Sequence, residues 1–273
     1  MPTSRTFQLD VDSRRYVNRV NTFRKLNGLP NLLPPDVADI DNFVVGLKDL
    51  GVWTNTVCWL MGSKYNVGAG TSVLSIGSKS ADMALTNSPT WGASGMSFVA
   101  ASSQKAKSNI YSYDTGRTGF GLITAFYAPS TTQSYSMFFG SEGAGNGQGF
   151  GMIRRSAATN AVEQYLSFSG GSVLPGRAIT FNQWNVAASR MYLSASSIIV
   201  NGLETILSTT GQFAPISPYL DTIGFASRVS GNPTYADMTA AFGAYIMSPI
   251  SLAQLESIRS LIKSSIGKSL SLP

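Results

Sequence analysis

Trp184-Asn185-Val186-Ala187-Ala188-Ser189-Arg190, followed by Ile198-Ile199-Val200-Asn201-Gly202, is the stretch on which the fold turns. Two short apolar runs, 184–193 and 197–200, lead into Asn201-Gly202, and a third, 204–207, leaves it. A two-residue Asn-Gly loop between apolar runs is the strongest short-range hairpin signal, because a type I′ turn needs positive φ at both positions. The segment therefore reads as successive antiparallel strands.

The same texture extends in both directions. Short apolar runs at 72–76, 83–85, 96–99, 119–127, 134–139, 149–154, 162–168, 222–226 and 238–247 alternate with Gly, Ser, Thr, Asn and Pro clusters. In the last run Met238, Ala240, Phe242, Ala244 and Ile246 recur at period two, which predicts one shared face. A dozen short strands without intervening helices predict a mainly β, two-sheet antiparallel jelly-roll sandwich. A parallel α/β sheet is excluded, since its crossover helices are missing. Helical spacing appears only at the ends. Residues 12–26 carry Tyr16, Val17, Val20, Phe23 and Leu26, with Gly28 as a stop. The Pro-rich segment 29–35 predicts a stiff extended linker. Residues 35–50 carry the stripe Val37, Ile40, Phe43, Val44, Leu47 and Leu50, closed by Gly51. A last helix opens on the capping box Ser251/Gln254 and carries Leu252, Leu255, Ile258, Leu261 and Ile262. Residues 264–272 read as a short low-complexity tail. These boundaries divide the chain into a helical N-terminal region, 1–52, and a β domain, 53–273.

The composition excludes much chemistry. The 273 residues hold no histidine and one cysteine, Cys58. No Ser-His-Asp or Cys-His pair, cysteine-based zinc site or internal disulfide can be built. Cys58, within Val57-Cys58-Trp59-Leu60, reads as a small buried apolar side chain. Charged residues make up 12% of the chain, about half the usual share, and the surface is left to 38 serines and to Thr, Asn and Gly. The net charge is +6, but the first 50 residues hold 7 basic and 6 acidic side chains. The dense group Arg14, Arg15, Arg19, Arg24 and Lys25 sits beside Asp10 and Asp12. No basic run with interleaved aromatics marks a nucleic-acid groove. An acidic partner surface fits the diffuse charge better. No run of 18 apolar residues predicts a membrane span, and 1–4 lack the apolar core of an ordinary secretion signal.

The order of motifs resembles the concanavalin A-like lectin/glucanase, or laminin-G-like, jelly roll. The quoted hairpin is followed by Thr222-Ile223-Gly224-Phe225, then Ala241-Phe242-Gly243-Ala244-Tyr245-Ile246, then Ser251-Leu252-Ala253-Gln254-Leu255. The likeness covers 70–262 and is densest over 184–262. Where that family often has a glutamate in the last helix, this chain has Gln254. Residues 39–53, a helix feeding Gly51-Val52-Trp53, also resemble head fibres, capsid decorations and tail-associated proteins of phages and large viruses. That second resemblance implies a virion structural protein that is not an enzyme, assembling with itself, most simply as a trimer, and with other virion proteins. It implies an N-terminal anchor and an outward jelly roll that binds host-surface glycan. The alternatives are a soluble carbohydrate-binding module and a glycoside hydrolase.

Each class asks for particular residues. A retaining glycosidase needs two carboxyls about 5 Å apart, yet none of Glu142, Glu163, Glu204 and Glu256 lies within four residues of another carboxylate. The Gly-rich stretch 140–151 stands between two strands, where a hairpin loop fits and a phosphate cradle does not. No cofactor is expected. Calcium, which some laminin-G-like domains hold, would draw on Asp82, Asp114 and Asp237. Glycan binding needs an aromatic face and a few fixed polar groups, for which Trp91, Tyr113 and Tyr235 are the candidates, with Tyr111 and Tyr219 behind them. Trp184 is assigned to the core by its strand pattern. Val37, Ile40, Phe43, Val44 and Leu47 are the candidate interface between subunits.

Overall fold

The computed structural model describes residues 8–111, 119–132, 136–141, 150–155, 161–166, 172–192, 196–207, 222–226 and 235–273. Two helices come first, α1 (Val11–Leu26) and α2 (Pro34–Asp49). Seventeen strands follow among the described residues: β1 (Thr56–Leu60), β2 (Ser72–Val73), β3 (Ser75–Gly77), β4 (Met83–Thr86), β5 (Thr90–Trp91), β6 (Met96–Phe98), β7 (Lys105–Tyr111), β8 (Gly119–Ala128), β9 (Met137–Ser141), β10 (Phe150–Arg155), β11 (Ala161–Leu166), β12 (Ser172–Ala178), β13 (Gln183–Tyr192), β14 (Ser196–Val200), β15 (Leu203–Leu207), β16 (Thr222–Phe225) and β17 (Met238–Ile246). Helix α3 (Leu252–Ser264) comes last.

The strands form two antiparallel sheets, as the alternating runs predict. One runs β15-β14-β13-β8-β17-β1-β3, with β6 and β5 added beside β17; the other runs β12-β11-β10-β9-β16-β7-β4-β2. Asn201 and Gly202 have φ of 53° and 84°, the positive pair that the hairpin reading requires. Between the sheets lies an aromatic-rich core with Trp59, Phe120, Phe126, Phe138, Phe139, Phe225 and Tyr245. Gly243 belongs to this packing: a Cβ there would stand 2.3 Å from Phe225 Cζ and 2.9 Å from Phe139 Cε2.

The outer face of the first sheet carries a second core under the helices. Ile40, Phe43, Val44 and Leu47 of α2 pack there with Cys58, Leu60, Ile123, Ala125, Ile246, Leu255 and Ile258. Phe43 meets Phe242 edge-on at 5.4 Å. The stripe expected to face another subunit is thus covered by this chain: these four side chains are 0–1% exposed, and Val37 packs partly buried beside them. The hydrophobic driving force behind the stripe is already satisfied within one molecule. The region 1–52 therefore lies against the sandwich as a third layer. The segment 29–35, read as an extended linker, instead connects two helices in mutual contact, buries Leu32, and ends in α2, with Pro34 at its first turn.

Three further expectations change. The run 72–76 is not one strand. It splits at Leu74 into β2 in one sheet and β3 in the other. The period-two run in β17 does not stay on one face either. A bulge between Ala240 and Phe242 places Met238 and Ala240 in the inter-sheet core, and Phe242, Ala244 and Ile246 under the helices. The tail 264–272 is folded: Ile266, Leu270 and Leu272 are buried, and the Lys268 ammonium pairs with Asp39. The capping box holds, with Ser251 Oγ accepting from Gln254 N at 3.2 Å and Gln254 Oε1 from Ser251 N at 3.0 Å.

Candidate functional site

The helices cover only part of their sheet. Beyond them a cross-strand row lies on the outer face. Register pairs Trp184 with Tyr127, Tyr127 with Thr239, Thr239 with Ser97 and Ser97 with Thr90. The next residues inward along three of these strands, Val186, Ala125 and Ala241, lie in the helix-side core, while Met96, Phe126, Ala240 and Met238 face the inter-sheet core. The alternation of strand side chains therefore puts the whole row on the outer face. Trp184, Tyr127, Thr239 and Ser97 are half-buried and Thr90 is exposed. Four strand spacings of ~4.8 Å give a row of ~19 Å.

The chemistry is divided along the row. At one end the rings of Trp184 and Tyr127 meet edge-on, centroids 6.0 Å apart at 68°. At the other end Ser97 Oγ and Thr239 Oγ1 share a hydrogen bond of 2.9 Å. Two hydroxyls carry two protons and that bond uses one, so one donor and several lone pairs remain for a ligand. No hydrogen bond to Trp184 Nε1 or Tyr127 Oη occurs among the described residues. Asp237, two residues before Thr239, borders the row. Its Oδ1 accepts from Ala100 N at 2.7 Å, and its carbonyl accepts from Thr132 Oγ1 at 2.7 Å.

The residues singled out from sequence lie elsewhere. Trp91 is half-buried, packs against the rims of both cores, and donates from Nε1 to Gly70 O at 3.4 Å. Tyr235 is half-buried with the Lys105 ammonium over its ring at 5.9 Å. Trp91 pairs with Met96 and Met96 with Ala240, five residues along the chain from Tyr235. That offset is ~17 Å along the strand direction, so the two rings do not converge on one ligand ring. Tyr113, Tyr219, Asp114 and Glu142 lie outside the described residues. Trp184, assigned to the core from its strand pattern, is half-buried and packs against the edge of the helix-side core. Its partner Tyr127 carried no signal in the sequence, because cross-strand register is not readable before the sheet is known.

Asp82, Glu204 and Glu256 are engaged in structural contacts. Asp82 Oδ2 accepts from Arg19 at 2.7 Å, and Oδ1 from Ser75 N at 2.8 Å. Glu204 pairs with Arg190 at 2.9 Å and Glu256 with Arg259 at 2.8 Å. Among the described residues no three acidic or thiol side chains gather as a metal site. Asp82, proposed for calcium, is neutralised by the guanidinium, and Asp237 stands apart from it. Burial pushes the Cys58 thiol well above its ordinary value, which leaves it protonated and unreactive.

No protein-family model matches this chain, and no curated protein sequence matches it. Its fold is similar to that of solved structures. Trypanosoma rangeli sialidase in complex with sialic acid aligns with a TM-score of 0.55 at 12% identity, over 77% of this chain and 33% of the sialidase. The receptor-binding domain of botulinum neurotoxin mosaic serotype C/D aligns with a TM-score of 0.55 at 13% identity, over 77% of this chain and 51% of that domain. The binding domain of botulinum neurotoxin DC, in complex with SialylT, gives 0.52 at 10%, over 76% and 52%. The chain thus spans about a third to a half of the length of these structures. At such identities the likeness is one of fold alone, a two-sheet β-sandwich. No helix among the described residues is long and apolar enough to cross a membrane.

Proposed function

We propose that the chain is a carbohydrate-binding β-sandwich module that holds an oligosaccharide along the row Trp184–Tyr127–Thr239–Ser97–Thr90. The observation that carries this reading is the row itself: two adjacent half-open rings next to unspent hydroxyls on a rigid sheet. An aromatic face covers the C–H face of a sugar ring, and fixed hydroxyls exchange hydrogen bonds with its edge. The similar folds support it, since one of those structures is a complex with sialic acid and another a complex with SialylT. The setting on a virus particle, with self-association and other virion proteins as partners, rests on composition and on the resemblance over 39–53. The solution mass of the purified protein and its presence in purified particles test that setting.

The test of the site is a glycan array followed by calorimetry on the best hit. Trp184→Ala and Tyr127→Ala should each weaken binding roughly 30-fold, the size of a truncated aromatic anchor of ~2 kcal/mol. Trp91→Ala, outside the row, should leave it within about twofold. An array without hits, or a hit indifferent to both row variants, would remove the proposal.

A further inference from the structure

We infer that the row selects neutral oligosaccharides and discriminates against sialylated ones, an inference that rests on the carbohydrate-binding reading above. The five side chains of the row are uncharged. Among the described residues, the charged side chain that adjoins the row at the start of β17 is negative. Asp237 lies just before β17, two residues before Thr239, and its neighbours Ala236 and Met238 both face the inter-sheet core, which leaves Asp237 on the side of Thr239. Only one of its oxygens is occupied within the described residues, Oδ1 by Ala100 N at 2.7 Å. Oδ2 is left as an acceptor for a sugar hydroxyl and as a fixed repulsive charge for a carboxylate. The neighbouring cation, Lys105, belongs to β7 of the other sheet and stands over the Tyr235 ring at 5.9 Å. A ligand carboxylate on the row would lose its hydration beside a like charge, which is the unfavourable side of a specificity device. A neutral sugar meets rings, hydroxyls and an acceptor.

The experiment uses the full chain on an array that prints the same oligosaccharide cores in neutral, 3′-sialylated and 6′-sialylated form. The result expected is retention on neutral cores, with the sialylated counterpart weaker by about tenfold. That is the factor for two like charges ~6 Å apart at an effective dielectric constant of ~40. Asp237→Asn removes the charge, so it should raise the binding of sialylated cores relative to neutral ones and shrink that ratio several-fold. Thermal melting of the variant shows whether the loop held by Ala100 N is retained. Equal or tighter binding of sialylated cores, still lost in Trp184→Ala, would overturn the selectivity and leave the binding reading standing. A ratio unchanged in a folded Asp237→Asn would overturn the role of Asp237. Absence of binding to every core would overturn the carbohydrate reading and this inference with it.

Discussion

Replacing Asn66 by alanine should destabilise the protein by about 4 kcal/mol. Asn66 is fully buried, in the loop between β1 and β2. Its Nδ2 donates to Leu60 O, Leu74 O and Tyr16 Oη, each at 2.9 Å. Its Oδ1 accepts from Val67 N at 2.8 Å and Leu74 N at 3.1 Å. Leu74 is where the chain leaves one sheet for the other, so both its backbone groups are served by a side chain in place of a neighbouring strand. Truncation leaves four backbone groups without partners, and each buried orphan costs ~1–3 kcal/mol. Water entering the vacated space returns part of that sum, which brings the total to about 4 kcal/mol. For a chain of this size the melting temperature should fall by about 10 °C. Asn66→Asp keeps the acceptor but turns a carboxylate on two carbonyls, so it should be at least as damaging. Asn27→Ala is the control. Asn27 is exposed and its side chain donates one hydrogen bond, to Phe23 O at 2.8 Å, so its loss should cost about 0.5 kcal/mol. Urea unfolding followed by tryptophan fluorescence measures all three. A loss below about 1 kcal/mol for Asn66→Ala, or an Asn66→Asp variant as stable as the parent, would refute the bridging role.

Other perturbations follow from the same contacts. Deleting residues 1–50 should yield insoluble protein, because Ile40, Phe43, Val44 and Leu47 alone bury side chains worth of order 10 kcal/mol against the sheet, comparable to a domain's whole net stability; a soluble, cooperatively melting deletion would contradict it. Gly243→Ala should cost about 2 kcal/mol by pushing the Phe225 and Phe139 rings from their places, read as a lower urea midpoint with an unchanged slope. The Lys48 hydrogen bond holds the Asp10 carboxyl below its ordinary 3.8. A depressed folded pKa stabilises above the unfolded value and is lost as pH falls through the folded one, so this contribution, at most about 1 kcal/mol for a partly exposed pair, should fade below pH 3.8. Lys48→Met should then lose less stability than the parent between pH 5 and pH 2.5, and equal losses would count against it. In native buffer the buried Cys58 thiol should not react with a thiol reagent until the protein is unfolded.

The sandwich was legible because its signals are local: the Asn201-Gly202 turn, the period-two runs and the capping box each depend on a few neighbouring residues. What stayed hidden depends on pairing. The five residues of β1 are all buried, so an apolar run without alternation announces no strand. β7 reads KAKSNIY, with two lysines that mask its inward Ala106 and Ile110. The Leu74 crossover needs Asn66, and the single extra residue in β17 reverses which face Phe242 takes, so the run's period was right and its single face was wrong. The candidate site is a cross-strand object. Trp184 and Tyr127 are 57 positions apart in the chain and become neighbours only through register. Trp91 and Tyr235 stand beside turn residues, a signal that reports exposure and not convergence.

Charge counting along the first 50 residues conceals a separation that geometry creates. Asp10 and Asp12 both hold Lys48, at 2.7 and 2.6 Å. Asp36 holds Lys64 at 3.3 Å, Asp39 holds Lys268, and Asp41 accepts the backbone N–H of Asp10 at 2.9 Å. Arg19 and Arg24 are likewise turned to the sandwich, onto Asp82 and onto the carbonyls of Ser63 and Asn66. What remains outward on α1 is Arg14, Arg15 and Lys25, together with Phe23 and Leu26. The outward face of α1 is therefore basic, as an acidic partner surface would require, while Asp49 is exposed at the end of α2. That face and the aromatic–hydroxyl row belong to the same side of the first sheet. A holder that grips the module through α1 would leave the row beside the grip. Helices α1 and α2 thus form a layer on the same face of the first sheet as the row.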